Sequence, residues 1–173
     1  MKQTMAQLIG RSALVLALAG GVMPAAVASP AFAERKATLG PYGYGTLKLG
    51  MTAAKARATG RITRKTVGDS PRCTGWDLKE NPYGEYRVGV YISKRRGLAM
   101  IVAPPGLRTP QGIGLGSSRT RLKAAYPRLR RGPGGYPTAD VPGNRQAFYI
   151  FHVSDNKVAG MSLVLAKQDC VRY

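Results

Sequence analysis

Two segments of the chain share the pattern Leu-Gly-x-[Ser/Thr], and each is followed by a short stretch of helical character. They occupy residues 49–52 and 115–118, a separation of 66 positions. The side chains of Thr52 and Ser118 can accept hydrogen bonds from the first free N–H groups of a helix. Both patterns therefore predict a turn at glycine that leads directly into a helix.

A second pair of similar segments follows in the same order. Residues 92–96 read ISKRR and residues 153–157 read VSDNK, and both are typical of hairpin turns; they are 61 positions apart. Two matches in the same order favour an internal duplication. The segment Pro104-Pro105-Gly106 provides the boundary between the copies. We expect repeat one to span residues 34–105 and repeat two residues 106–173.

Within each repeat, the pattern predicts one helix followed by strands. The predicted helices span residues 52–59 and 118–126, and the predicted strands span residues 73–79, 85–93, 97–103, 145–153 and 157–167. Residues 132–135 (GPGG) are expected to form a loop. The sequence therefore predicts an α+β fold of two tandem repeats, each a short helix packed on a small antiparallel β-sheet.

Alternation of side chains assigns the two faces of these strands. The expected core face carries Tyr86, Val88, Val90, Ile92, Leu98, Met100 and Val102 in repeat one, and Ala147, Tyr149, Phe151, Val153, Met161 and Leu163 in repeat two. The opposite face carries Arg87, Tyr91, Phe148, Ile150 and His152. Apolar residues on that second face are either covered by another part of the fold or form a partner surface.

The first 33 residues predict a secretory signal peptide. Lys2 and Arg11 precede an apolar stretch, and Ala31-Phe32-Ala33 is a small-x-small cleavage site. Cleavage after Ala28 is the alternative. No later apolar run approaches the ~20 residues that a membrane span requires. We expect a secreted, extracellular monomer without a transmembrane segment in the mature chain.

Cys73 and Cys170 are the two cysteines of the chain. In an exported protein they predict a disulfide. The bridge would close a 97-residue separation, and loop-closure entropy then gives roughly 4–5 kcal/mol. Intermolecular pairing is the alternative. Two cysteines exclude a disulfide-dense scaffold and a cysteine-based zinc cluster.

The chemistry-bearing residues do not form a recognisable catalytic set. His152, the single histidine, has Ser154 two positions away, but Asp155 belongs to a predicted turn. Residues 112–118 (GIGLGSS) lack the lysine of a phosphate-binding loop. The acidic residues are scattered singly, so spacing offers no carboxylate pair. We expect a protein that is not an enzyme, with no cofactor and no metal.

Basic residues cluster more than acidic ones do. The chain has 27 lysines and arginines against 8 acidic residues, a formal net charge of +19. The clusters comprise Lys94, Arg95 and Arg96 in the first predicted hairpin, and Arg119, Arg121, Lys123, Arg128, Arg130 and Arg131 within 13 positions. They are either a solvated face or an attachment site for polyanions. No recognition-helix or RNA-binding motif is present, so we expect no specific nucleic acid partner.

The paired Leu-Gly-[Met/Ser]-[Thr/Ser] helix starts, each leading into a small antiparallel sheet, resemble the tandem architecture of the β-lactamase-inhibitory-protein-like family. The Gly-, Ala- and Arg-rich usage is similar to that of exported proteins of high-GC Gram-positive bacteria. The resemblance spans residues 44–170. It implies a non-enzymatic module that presents a curved sheet face to another protein. No inhibitor contact can be transferred residue by residue.

Two functional hypotheses follow. The first is a secreted binding module that presents Arg87, Tyr91, Phe148, Ile150 and His152 to an extracellular protein partner, with Trp76 and Asp77 at the rim. The second is a cell-surface protein that binds anionic cell-wall polymers or other polyanions through the two basic clusters.

Overall fold

Short antiparallel strands joined by tight turns dominate the regular structure of the described residues. The computed structural model describes residues 38–132 and 134–172, so the predicted signal peptide lies outside the described residues. The strands are β1 (Leu39–Gly40), β2 (Gly43–Tyr44), β3 (Leu47–Lys48), β4 (Ile62–Lys65), β5 (Cys73–Leu78), β6 (Val90–Ser93), β7 (Gly97–Val102), β8 (Arg130–Arg131), β9 (Pro137–Val141), β10 (Asn144–Ser154) and β11 (Lys157–Leu165); the helices are α1 (Ala53–Ala58) and α2 (Arg119–Ala125).

The strands form two sheets, and the larger one runs through both halves of the chain. Its order is β4-β5-β6-β7-β11-β10-β9-β8, and β1, β2 and β3 form a separate three-stranded sheet. All pairings between these strands are antiparallel. The predicted α+β class is therefore wrong. With 43% strand and 10% helix among residues 38–132 and 134–172, the fold is mostly β, and one continuous eight-stranded sheet replaces a small sheet in each repeat.

The error in fold class came from strands that carry no alternating pattern. Strands β1, β2, β3 and β8 have two residues each. Such segments are too short to show a period of two. Strand β4 reads ITRK and places one buried residue, Ile62, among polar ones. These strands form because neighbouring strands provide hydrogen-bond partners for their backbone N–H and C=O groups. Their own residues carry no strong strand signal.

The two helices begin where the sequence predicts. Thr52 accepts from the backbone N–H of Lys55, and Ser118 accepts from that of Arg121. Each helix buries one residue among the described side chains, Ala56 in α1 and Leu122 in α2. Helices of 6 and 7 residues are too short to persist alone, so their packing against the sheet maintains them.

The core lies between one face of the eight-stranded sheet and the elements packed on it. It joins Tyr149 and Phe151 of β10 with Leu122 of α2 and with Leu39 of the small sheet. The Tyr149 hydroxyl donates to the Leu39 carbonyl oxygen at 2.7 Å, so the small sheet is fixed by a buried hydrogen bond as well as by apolar contact.

A β-bulge changes the face assignment in β7. Val90 lies opposite Ile101 whereas Ile92 lies opposite Leu98, so β7 has one extra residue between them. Leu98 and Ile101 therefore face the core, and both are fully buried. The expectation that Met100 and Val102 continue the core face was wrong. Beyond the bulge, these two side chains lie on the opposite face, which we call the outer face.

Strand β6 is shorter than predicted. The expected strand over residues 85–93 begins only at Val90, and Tyr86 is 81% exposed instead of buried. Gly89 lies against Asp77: a Cβ at Gly89 would stand 2.5 Å from the Asp77 Oδ1 atom. Residues 79–89 link β5 to β6 as a loop that passes over Asp77, and Gly89 at its end bonds to the backbones of Trp76 and Val102.

The residues that precede each helix form the same pair of backbone hydrogen bonds with the second strand of a hairpin. The Gly50 N–H donates to the Leu98 carbonyl, and the Leu98 N–H donates to the Met51 carbonyl. In the second half, the Gly116 N–H donates to the Val158 carbonyl, and the Val158 N–H donates to the Ser117 carbonyl. The recurrence supports the duplication, which stays a prediction.

No helix within residues 38–132 and 134–172 is long and apolar enough to cross a membrane.

Candidate ligand-binding grooves

Four of the five residues predicted for a partner surface share the outer face of the sheet. Tyr91 lies opposite Met100, which lies opposite Val164, which in turn lies opposite Phe148. Ile150 and His152 follow on the same side of β10. Arg87 lies in the loop of residues 79–89, where its guanidinium stacks 4.4 Å from the centre of the Tyr83 ring.

These residues differ in their accessibility. Although Ile150 lies on the outer side of β10, it is 1% exposed, so its side chain is covered and cannot contact a partner. Tyr91 and Phe148 are half-buried. The proposed rim residues Trp76 and Asp77 are both buried. Trp76 points to the core side, where its indole N–H donates to Thr74 Oγ1 at 2.8 Å.

His152 stands at one end of the outer face beside an aromatic ring. The centres of the His152 and Tyr136 rings are 4.1 Å apart. Desolvation by burial, reinforced by the positive charge of Arg87, lowers the pKa of His152, so the imidazole is neutral at neutral pH. Burial alone raises the pKa of Tyr91. The two rings are tilted by 39° to each other, so they are in contact without being parallel.

The disulfide is present and fixes the C-terminal segment. Cys73 and Cys170 are bonded, with their Cα atoms 5.4 Å apart, as the sequence predicted. Beyond β11, the segment is further ordered by Gln168, whose side-chain oxygen accepts from the N–H groups of Cys170 and Val171. Residues after β11 thus stay beside the sheet.

The same two cysteines and Asp169 form a group of potential metal ligands within 4.8 Å of one another. Metal binding by cysteine requires the thiolate. Because both sulfurs are held in the disulfide, this group does not offer a thiolate site while the bond is intact.

The first basic cluster lines two adjoining grooves at the β6–β7 turn. One, of about 520 Å³, is bordered by Arg95 and Arg96 together with Arg145 and Lys167; we call it the turn groove. The other, of about 240 Å³, is bordered by Lys94, Arg95 and Arg96 and by Thr52 at the start of α1; we call it the cap groove. The four cations of the turn groove come from three separate parts of the chain.

The second basic cluster lines a groove between α2 and β8. This groove has a volume of about 510 Å³, and its lining includes Arg119 and Lys123 of the helix as well as Arg130 and Arg131; we call it the helix groove. Arg130 and Arg131 also border a further groove of about 610 Å³, in which Phe148, Ala166 and Arg172 take part. We call that one the tail groove, because residues of the C-terminal segment form one of its walls.

The charge in these grooves is almost unopposed. Among the residues that the structure describes as lining the four grooves, none is Asp or Glu. The ion pairs seen in the described ranges join Arg61 to Glu80, Arg64 to Asp69, Lys65 to Asp77 and Arg130 to Asp140. Arg130 is the groove cation among them, and its pair is largely exposed. Uncompensated cations in a concave surface concentrate positive potential there.

Sequence reasoning found most of these cations but missed three of them. Arg121 and Arg128 are exposed but border none of the four grooves. Arg145, Lys167 and Arg172, which do border them, were not predicted. Each stands apart from the basic clusters in the sequence; Arg145 and Lys167 are terminal residues of predicted strands, whereas no signal marked Arg172.

Comparison with known proteins adds no family assignment. No protein-family model matches this chain, and neither a curated protein nor a solved structure matches it.

Proposed function

We propose that this protein is an extracellular binding protein whose ligand is an anionic polymer, such as a phosphate-rich polymer of the cell wall. The observation that supports it most directly is the convergence of Arg95, Arg96, Arg145 and Lys167 on one groove, without an acidic side chain in its described lining. Like charges gather at the cost of mutual repulsion. A polyanion relieves that repulsion and releases its own counterions on binding.

The extracellular part of the proposal rests on two further features. The intramolecular disulfide is typical of oxidising compartments. The described residues contain no helix that could cross a membrane. Both are compatible with the predicted signal peptide.

The test compares two variants that lose the same charge. One replaces Arg95, Arg96, Arg145 and Lys167 by Gln, and the control makes the same change at Lys48, Lys55, Arg72 and Lys157, which are exposed and border none of the described grooves. Binding to polyphosphate and to isolated cell walls is measured across a salt series. We expect the groove variant to lower the salt slope by roughly one per lost contact.

Equal losses in the two variants would show that net charge alone drives retention, and the proposal would then fail. A basic protein of similar size and charge provides a second reference. The protein must bind polyphosphate or cell walls more strongly than this reference before binding is assigned to any groove.

The second candidate function is recognition of a protein partner by the outer face, the use that the family resemblance implies. The observation that favours it is the row joining Tyr91 to Phe148 across four strands, since half-buried aromatics are typical anchors of interfaces. Replacing Tyr91 and Phe148 together by Ala should abolish capture of a protein partner. Unchanged capture by a variant of unchanged melting temperature would remove this site.

A further inference from the structure

These four cationic grooves adjoin one another in a row across the surface. The cap groove and the turn groove share Arg95 and Arg96 as lining residues. The turn groove and the tail groove share Ala166. The tail groove and the helix groove share Arg130 and Arg131. A shared lining residue places neighbouring grooves side by side at these three places.

We infer that they form one continuous track, and that a single linear polyanion occupies it and contacts both basic clusters at once. This inference rests on the proposed function and specifies its ligand: an extended chain of repeated anionic groups rather than an isolated anion. The track joins residues 94–96 to Arg119, Lys123, Arg130 and Arg131 of the second cluster, which is separate from the first in the sequence.

The cations along the track are spread rather than focused. Lys94, Arg95 and Arg96 lie at one end, and Arg119 and Lys123 at the other. Between them stand Arg145 and Lys167, and then Arg172 with the arginines of β8. All of these side chains are exposed. A single phosphate or carboxylate group would neutralise only a few of them, whereas a chain of such groups can neutralise them in turn.

Simultaneous engagement of both ends has a measurable consequence. Once one end of a polymer is bound, binding at the other end becomes intramolecular, and the affinity rises by orders of magnitude without any new contact. A short anion gains nothing of this kind. Chain length therefore separates a track from a set of independent sites.

The experiment uses the full mature chain with its disulfide intact, and inorganic polyphosphate as the probe. Tripolyphosphate and a chain of about 20 phosphates are titrated by calorimetry at fixed ionic strength. Two pair variants are compared with the unaltered protein: Arg95→Gln with Arg96→Gln at the turn, and Arg119→Gln with Lys123→Gln on α2. Lys55→Gln with Lys157→Gln is the control of equal charge.

A continuous track predicts one long chain per protein and more than one tripolyphosphate. It also predicts that either pair variant weakens the long chain by at least about tenfold, as expected when one of two linked contacts is lost, while the control pair has a small effect. Two long chains per protein, reduced to one by either pair variant at unchanged affinity, would show independent sites and overturn the track. That result would leave polyanion binding standing. No binding of either probe beyond the basic reference protein would instead overturn the proposed function.

Discussion

The ammonium nitrogen of Lys65 lies 3.3 Å from Oδ2 of Asp77, and both side chains are largely shielded from solvent, with 14% and 3% exposed. The same Oδ2 accepts from the backbone N–H of Tyr83 at 2.7 Å. Lys65 also donates to the carbonyl oxygen of Gly84. One buried carboxylate thus holds β4 and the loop of residues 79–89 against β5.

Replacing Asp77 by Ala should destabilise the protein strongly. The substitution leaves the buried ammonium of Lys65 without its partner, and a broken buried pair costs about 3–5 kcal/mol. Asp77→Asn keeps an acceptor for the Tyr83 N–H and should cost less. Asp140→Ala is the matched control, because its pair with Arg130 is more than half exposed and is expected to contribute only ~0–1 kcal/mol. Urea unfolding measures all three, and equal losses for Asp77→Ala and Asp140→Ala would contradict the argument.

Removing the disulfide should lower stability by a comparable amount. The bond between Cys73 and Cys170 closes a 97-residue separation. The unfolded chain gains loop entropy when the bond is absent, which corresponds to roughly 4–5 kcal/mol. The double variant Cys73→Ser with Cys170→Ser should therefore show a much lower urea midpoint than the oxidised protein. The reduced wild-type chain provides the control and should match it, and a midpoint that does not move would refute the expectation.

Stability should fall in alkaline solution because of buried tyrosines. Burial raises the pKa of Tyr126 to about 12, against an opposing hydrogen bond from Thr109, and burial also raises the pKa of Tyr149. An unfolded tyrosine loses its proton near pH 10. As the pH rises from 10 towards 12, the unfolded state releases protons that the folded state retains, so the free energy of unfolding decreases.

The alkaline loss can be assigned by substitution. Tyr126→Phe should remove part of the pH dependence above pH 10, whereas Tyr86→Phe should leave it unchanged, because Tyr86 is 81% exposed. Melting temperatures recorded between neutral pH and pH 12 provide the comparison. An identical slope in the two variants would show that the alkaline lability has another source.

Local signals made part of this fold predictable. The hydroxyls of Thr52 and Ser118 sit where a helix needs an acceptor, and that requirement is satisfied within a few residues of sequence. Strands β10 and β11 are long enough to show alternation. The bulge in β7 was not predictable, because it is a register shift between β7 and β6, which the residues of β7 alone do not reveal.

The candidate site illustrates the same limit. Lys94, Arg95 and Arg96 are adjacent in the sequence, so their clustering was visible at once. Arg145 and Lys167 join them only because β10 begins and β11 ends beside the β6–β7 turn. Convergence of distant residues depends on strand order, and the pattern of each repeat did not reveal that the two halves share one sheet.

The start of α1 contacts β7 closely at two glycines, Gly50 and Gly97. Gly97 has a φ of 74°, and a Cβ there would stand 2.2 Å from the Gly50 carbonyl oxygen. Gly106 has a φ of 84° but nothing within 4 Å of its Cβ position. Replacing Gly106 by Ala should cost about 1–2 kcal/mol, the backbone penalty of a left-handed conformation alone. Gly97→Ala adds a backbone clash, so it should cost clearly more and should separate the start of α1 from β7.

Thermal unfolding of the two alanine variants measures this difference, and amide hydrogen exchange locates it. The N–H of Gly50 bonds to the Leu98 carbonyl at 2.9 Å, so Gly97→Ala should accelerate exchange at Gly50, whereas Gly106→Ala should not. The turn groove and the cap groove are both bordered by Gly50. Loosening this contact should therefore weaken polyphosphate binding without removing a charge. Equal melting temperatures and equal exchange at Gly50 in both variants would show that the close approach of Gly97 to Gly50 is not required.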